Sequence, residues 1–143
     1  MFAAVRKLCH SDYLKRWLVL DETYPLRTIV EAMERFQENS SVLHQAIGCI
    51  AVMALRQPGQ SITFYQMNGI PLITRAMKKF PEAGDLQRQG CLAIRNLVVR
   101  NEDTLRDVFL EEQVELLLRT ARKTHPQCDD VAYAALRDLH LPL

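Results

Sequence analysis

The octapeptide GCLAIRNL at residues 90–97 has two counterparts in the same chain, GCIAVMAL at 48–55 and AYAALRDL at 132–139, each displaced by 42 residues from the next. Equal offsets between similar helical phrases are the mark of a stacked helical repeat. Each phrase opens on a small residue that lets two helices approach, and apolar residues at the third, fourth, sixth and seventh places after it form a stripe by which one unit is buried against its neighbour. A stacked array of this kind holds a partner more readily than it transforms a substrate.

The remainder of the unit recurs as well. Residues 70–77 (IPLITRAM) follow Asn68-Gly69, residues 26–33 (LRTIVEAM) stand one unit earlier, and residues 114–121 (VELLLRTA) one unit later. Met33 and Met77 match, and Phe36 and Phe80 each follow three places on. Shorter amphipathic stretches at 13–20, 61–67 and 104–110 precede them. The pattern predicts long helices near 1–9, 41–57, 85–100 and 129–140, with medium helices near 26–37, 70–80 and 113–124. Short, medium and long helices in each unit distinguish the chain from two-helix repeats of about 33 or 34 residues.

At the N-terminus, Ala4-Val5-Arg6-Lys7-Leu8 matches Ala93-Ile94-Arg95-Asn96-Leu97. Residues 1–9 therefore read as the end of a truncated repeat, followed by units at 10–57, 58–100 and 101–143, in one domain forming the C-terminal part of a longer array. An array cut inside a repeat exposes the apolar face of its missing neighbour, so self-association through Phe2, Val5 and Leu8 is expected. An amphipathic cap helix is the alternative for residues 1–9.

Composition agrees with a packed repeat. The chain has 143 residues, enough for one continuous core, and its 48% hydrophobic and 24% charged content is ordinary for a folded domain. A net charge of +1 gives no long-range attraction to nucleic acid or anionic membrane. No run is long enough to span a bilayer, and residues 2–8 are too short and too charged for a signal peptide. The expected location is intracellular, the cytoplasm first, with the nucleus also open.

No cofactor or metal is expected. Cys9-His10 and His125-Pro126-Gln127-Cys128-Asp129 lack a second ligand pair. Cys49 and Cys91 occupy one repeat position inside apolar helical runs, where cysteine serves as a small buried hydrophobe. Neighbouring residues on a helix diverge, so Glu111-Glu112 and Asp129-Asp130 do not make facing acid and base carboxylates; Asp129 and Asp130 are expected to cap the last long helix. No nucleophile elbow, phosphate loop or HExxH is present, and His10, His44, His125 and His140 have no catalytic partner nearby. A non-enzyme is expected.

The sequence Gly69-Ile70-Pro71-Leu72-Ile73 followed by Gly90-Cys91-Leu92-Ala93-Ile94-Arg95-Asn96-Leu97 resembles the armadillo repeat, with its Gly-Ile-Pro entry to the second helix and its third helix ending in Asn-Leu. The resemblance extends over nearly the whole chain and implies a right-handed α-solenoid of three-helix repeats. It also implies a concave groove in which Asn96 clamps an extended peptide, with Leu92 in the place of the family's stacking tryptophan. The ladder is eroded: Lys7, Ala54 and Asp138 replace the asparagine elsewhere, and Ala3, Ile50 and Ala134 replace the tryptophan.

On that register the groove surface comprises Ile50, Met53 and Ala54, then Arg88, Leu92, Arg95, Asn96 and Val99, then Asp130, Ala134, Arg137 and Asp138. Arginine precedes the asparagine position in three of the four copies, as Arg6, Arg95 and Arg137, and such a row can present paired donors to partner carboxylates. Arg88, Leu92, Arg95, Asn96 and Arg137 are thus the candidate partner-binding residues. Two functions are open: a module binding a protein or peptide in the groove, or a structural segment that extends and caps a longer scaffold.

Overall fold

A computed structural model describes residues 24–143, so the expectations for residues 1–9 and 13–20, and for self-association through Phe2, Val5 and Leu8, lie outside the described residues. Among the described residues the chain is all-α, with eight α-helices and no strand. They are α1 (Tyr24–Arg35), α2 (Ser40–Ala54), α3 (Pro58–Gln66), α4 (Ile70–Lys79), α5 (Gly84–Val98), α6 (Glu102–Glu111), α7 (Val114–Thr124) and α8 (Asp129–Asp138), with a 3-10 turn at Pro126–Cys128.

Local chemistry sets these boundaries. Asn39 caps α2 by accepting from the Val42 N–H at 3.1 Å. Pro58 and Pro71 sit in the first turns of α3 and α4, where a missing N–H costs nothing. Helix exits use left-handed residues: Asn68 after α3 and Gln113 after α6, then Arg56, Arg100 and His140 after α2, α5 and α8. Asn68 turns the chain so that Gly69 N–H bonds back to Phe64 O at 3.1 Å, the Schellman closure of a helix end.

Helix α5 is the centre of the packing. It lies against α2 on one side and α8 on the other, while α2 and α8 have no comparable contact with each other. Leu86, Cys91, Ala93, Ile94, Leu97 and Val98 are fully enclosed, and the small first residue of the repeated phrase earns its place here. A Cβ on Gly90 would stand 2.5 Å from Met77 Sδ of α4, so any larger residue must displace the Met77 side chain.

Six of the side-chain hydrogen bonds that join distant segments have similar sequence separations. Glu38 pairs with Lys79, 41 residues away. Thr74 Oγ1 donates to Glu112 across 38 residues and Asn96 Nδ2 to Ala51 O across 45. Asn101 Nδ2 to Pro58 O, Arg88 to Asp130 and His125 Nε2 to Pro81 O span 43, 42 and 44. Each approximates the 42-residue period of the sequence.

Gly69 yields a prediction. Its φ of −81° is ordinary, but a Cβ there would lie 2.3 Å from the ring of Phe64, which is wholly buried. Gly69→Ala should cost about 1–3 kcal/mol by overpacking, and less in a Phe64→Leu background. A double-mutant cycle of thermal melts measures that coupling; additive losses would mean that the two residues do not meet.

Candidate functional site

The candidate residues are all carried by α5 and α8, and Arg88 and Arg95 lie where these helices pass each other. Arg88 Nη1 donates to Asp130 Oδ1 at 2.7 Å and Nη2 to Oδ2 at 3.2 Å, a two-armed pair, and it also reaches Gln127 O. The Asp130 carboxylate raises the Arg88 pKa, and Arg88 holds Asp130 below the usual carboxylate range. Two turns along α5, Arg95 Nε donates to Asp138 Oδ2 at 3.2 Å. The other oxygen of Asp138 accepts from Arg137 Nε at 2.8 Å, so one largely enclosed carboxylate bridges two arginines.

Arg88 and Arg95 are therefore held to aspartates of α8, and Arg137 to its own neighbour Asp138. Arg88, Arg95 and Arg137 still present 37, 38 and 54% of their side chains to solvent. A guanidinium has five N–H donors, more than these carboxylates take. Leu92 is half-buried between Arg88 and Arg95, and Val99 ends the same face.

Asn96 has a different place from the one its register implies. Only 8% of it is exposed, and Nδ2 donates to Ala51 O of α2 at 2.8 Å. The reason lies in how α2 ends: the Leu55 N–H turns to Val52 O, which frees the Ala51 carbonyl from the helical ladder, and Asn96 supplies the missing donor. Ile50, Met53 and Ala54, expected on the groove surface, are buried at 1, 8 and 4% exposure. That expectation is corrected: all three belong to the continuous core, which α2 forms together with α5.

The capping role expected of Asp129 and Asp130 is met in part. They lie in the first turn of α8, where their charge suits the helix dipole, but Cys128 is the cap residue and no side chain caps the helix end. Their carboxylates are committed to Arg122, at 2.6 Å, and to Arg88.

Sequence reasoning did not find Gln87. It is 4% exposed, and its Nε2 donates to Met77 O and Phe80 O, both at 2.9 Å. Gln87 thus closes α4 as Asn96 closes α2, two side chains of α5 terminating two earlier helices. A usable signal is a polar residue inside an apolar stripe, one long-helix turn from the preceding helix exit.

A thiol pair sits beneath Arg88. The interaction of Cys91 with Cys128 lowers the Cys128 pKa, aided by His125 and Arg88, and raises that of Cys91. Both residues are buried, and Cys128 Sγ also faces Gly84 O at 3.9 Å. Among the described residues no group of three or more His, Cys, Asp and Glu is placed to hold a metal ion, and no helix is long and apolar enough to cross a membrane.

In comparisons with known proteins, the chain matches no protein-family model, no curated protein and no solved structure.

Proposed function

We propose that the chain is a non-enzymatic protein–protein interaction module, an armadillo-type right-handed α-solenoid that holds a peptide or protein segment along the face where α5 and α8 meet. The observation that carries this reading is the recurrence of separations near one period, 38 to 45 residues, among the side-chain hydrogen bonds that join distant segments. A stack in which each unit touches only the next generates such spacing; a bundle closed on itself has no reason to. The position of α5 between α2 and α8 supports the same arrangement.

Leu92 supplies the apolar contact of this face, and the exposed edges of Arg88, Arg95 and Arg137 supply donors for a partner of some acidic character. Asn96 contributes by fixing α2 against α5 rather than by touching the ligand. On this reading the protein acts inside the cell, in cytoplasm or nucleus, where buried thiols such as Cys91 and Cys128 stay reduced. A second reading, a structural segment extending or capping a longer solenoid, draws support from Asp130 and Asp138, which already occupy the arginines.

Affinity capture with the full chain and with a Leu92→Asp, Arg95→Glu variant, compared by mass spectrometry, separates the two. A partner retained by the parent chain and lost on the variant, with helicity by circular dichroism unchanged, is the expected result. Full retention on the variant would remove the groove reading and leave the scaffold.

A further inference from the structure

Helices α4 and α7 run side by side on a different part of the molecule, tied at one end by Thr74 to Glu112 and at the other by His125 to Pro81 O. Between them is a cleft of about 200 Å³ whose lining includes Met77, Leu117 and Ala121, with Lys78 on the α4 wall and Leu116 on the α7 wall. Leu116 is 65% exposed, more than any other large apolar side chain among the described residues, whereas Leu118 of the same helix is fully buried. Apolar surface left in water at the lip of an apolar cleft gains free energy when a partner covers it.

The charges at the cleft have one dominant sign. Lys78 lines it, and Lys123 lies one turn beyond Thr120, another lining residue. Both lysines are exposed and have no ion-pair partner among the described residues. Glu82, beside Pro81, is the nearby acid; Glu115 is taken up by Arg119 at 2.8 Å. From Leu116 to Lys123 is two turns of helix, roughly 10 Å, which matches two turns of a docking segment.

We propose that the cleft between α4 and α7 is a docking site for an acidic amphipathic segment of a partner protein, its apolar side chains seated on Leu116 and Leu117 and its carboxylates reaching Lys78 and Lys123. The apolar lining requires an apolar anchor, and unpaired ammonium groups on opposite walls require carboxylates on both flanks of that anchor. The site goes beyond the α5–α8 face and uses none of its residues. A partner can engage either surface alone.

The probe is a fluorescein-labelled synthetic peptide with leucines at helical spacing and glutamates on both flanks, set against the same peptide with lysines in place of the glutamates. Fluorescence anisotropy with the full chain should show saturable binding of the glutamate peptide, weakened by salt, and none of the lysine peptide. Leu116→Asp should weaken it about tenfold or more, and Lys78→Glu with Lys123→Glu to a similar extent, about tenfold; all three positions are exposed, so the helical spectrum should persist. Arg35→Ala, an exposed position on α1 outside both surfaces, should leave binding unchanged. No saturable binding, equal binding of both peptides, or loss on Arg35→Ala as large as on Leu116→Asp would overturn the proposal. A dimer seen by light scattering and dissolved by Leu116→Asp would also overturn it, assigning the cleft to a second copy of this chain.

Discussion

Ala93→Asp should lower the midpoint of urea unfolding far more than Arg88→Asp, although both place aspartate on α5 within five residues. Ala93 has no exposed surface and sits in the continuous core that α5 forms with its neighbours. A carboxylate there loses its hydration and finds apolar surroundings, a change that costs about 4 kcal/mol or more. Domains of this size are stable by only about 5–15 kcal/mol, so most of the stability goes. Arg88 is at the surface, and its pair with Asp130 is exposed and screened. Its replacement sets two carboxylates opposite each other in water, a small loss that salt reduces further. Similar midpoints for the two variants would show that the buried face of α5 has been assigned wrongly.

The helices were legible because burial recurs with helical spacing. Expected segments at 85–100, 70–80 and 113–124 correspond to Gly84–Val98, Ile70–Lys79 and Val114–Thr124. The small opening residue of the phrase was legible too, since Gly90 meets Met77. What a linear pattern could not supply is which flank of each long helix its neighbours cover. Ile50, Met53 and Ala54 are apolar enough for either a groove or a core, and only the packing of α5 on α2 decides for the core. The charge pairs had a signal that went unused: Asp130 and Asp138 stand 42 and 43 residues after Arg88 and Arg95. Opposite charges about one period apart on two long helices are placed to meet where those helices pack together. Asn96 and Gln87 were harder, because their partners are carbonyls at helix exits, and every residue has a carbonyl.

The second large effect concerns Asn96. Asn96→Ala removes the donor to Ala51 O and should cost about 1–3 kcal/mol, the penalty for leaving a buried acceptor unsatisfied. Asn96→Asp should cost more, about 3 kcal/mol or above, because a carboxylate only accepts and would face a carbonyl that also only accepts, in a site 8% exposed. The pH dependence then separates burial from surface placement. Burial raises the pKa of an aspartate at this position in the folded state, so the unfolded state loses its proton first, and the variant is weakened as pH rises above the unfolded value of about 4. Below that value the acid is protonated in both states and its O–H can donate to Ala51 O, restoring much of the loss. Urea midpoints of the parent chain and Asn96→Asp should therefore converge as pH falls from about 7 toward about 4. A variant that melts like the parent at neutral pH, yet fails to hold a captured partner, would return Asn96 to the ligand-binding surface and reverse the role assigned to it here.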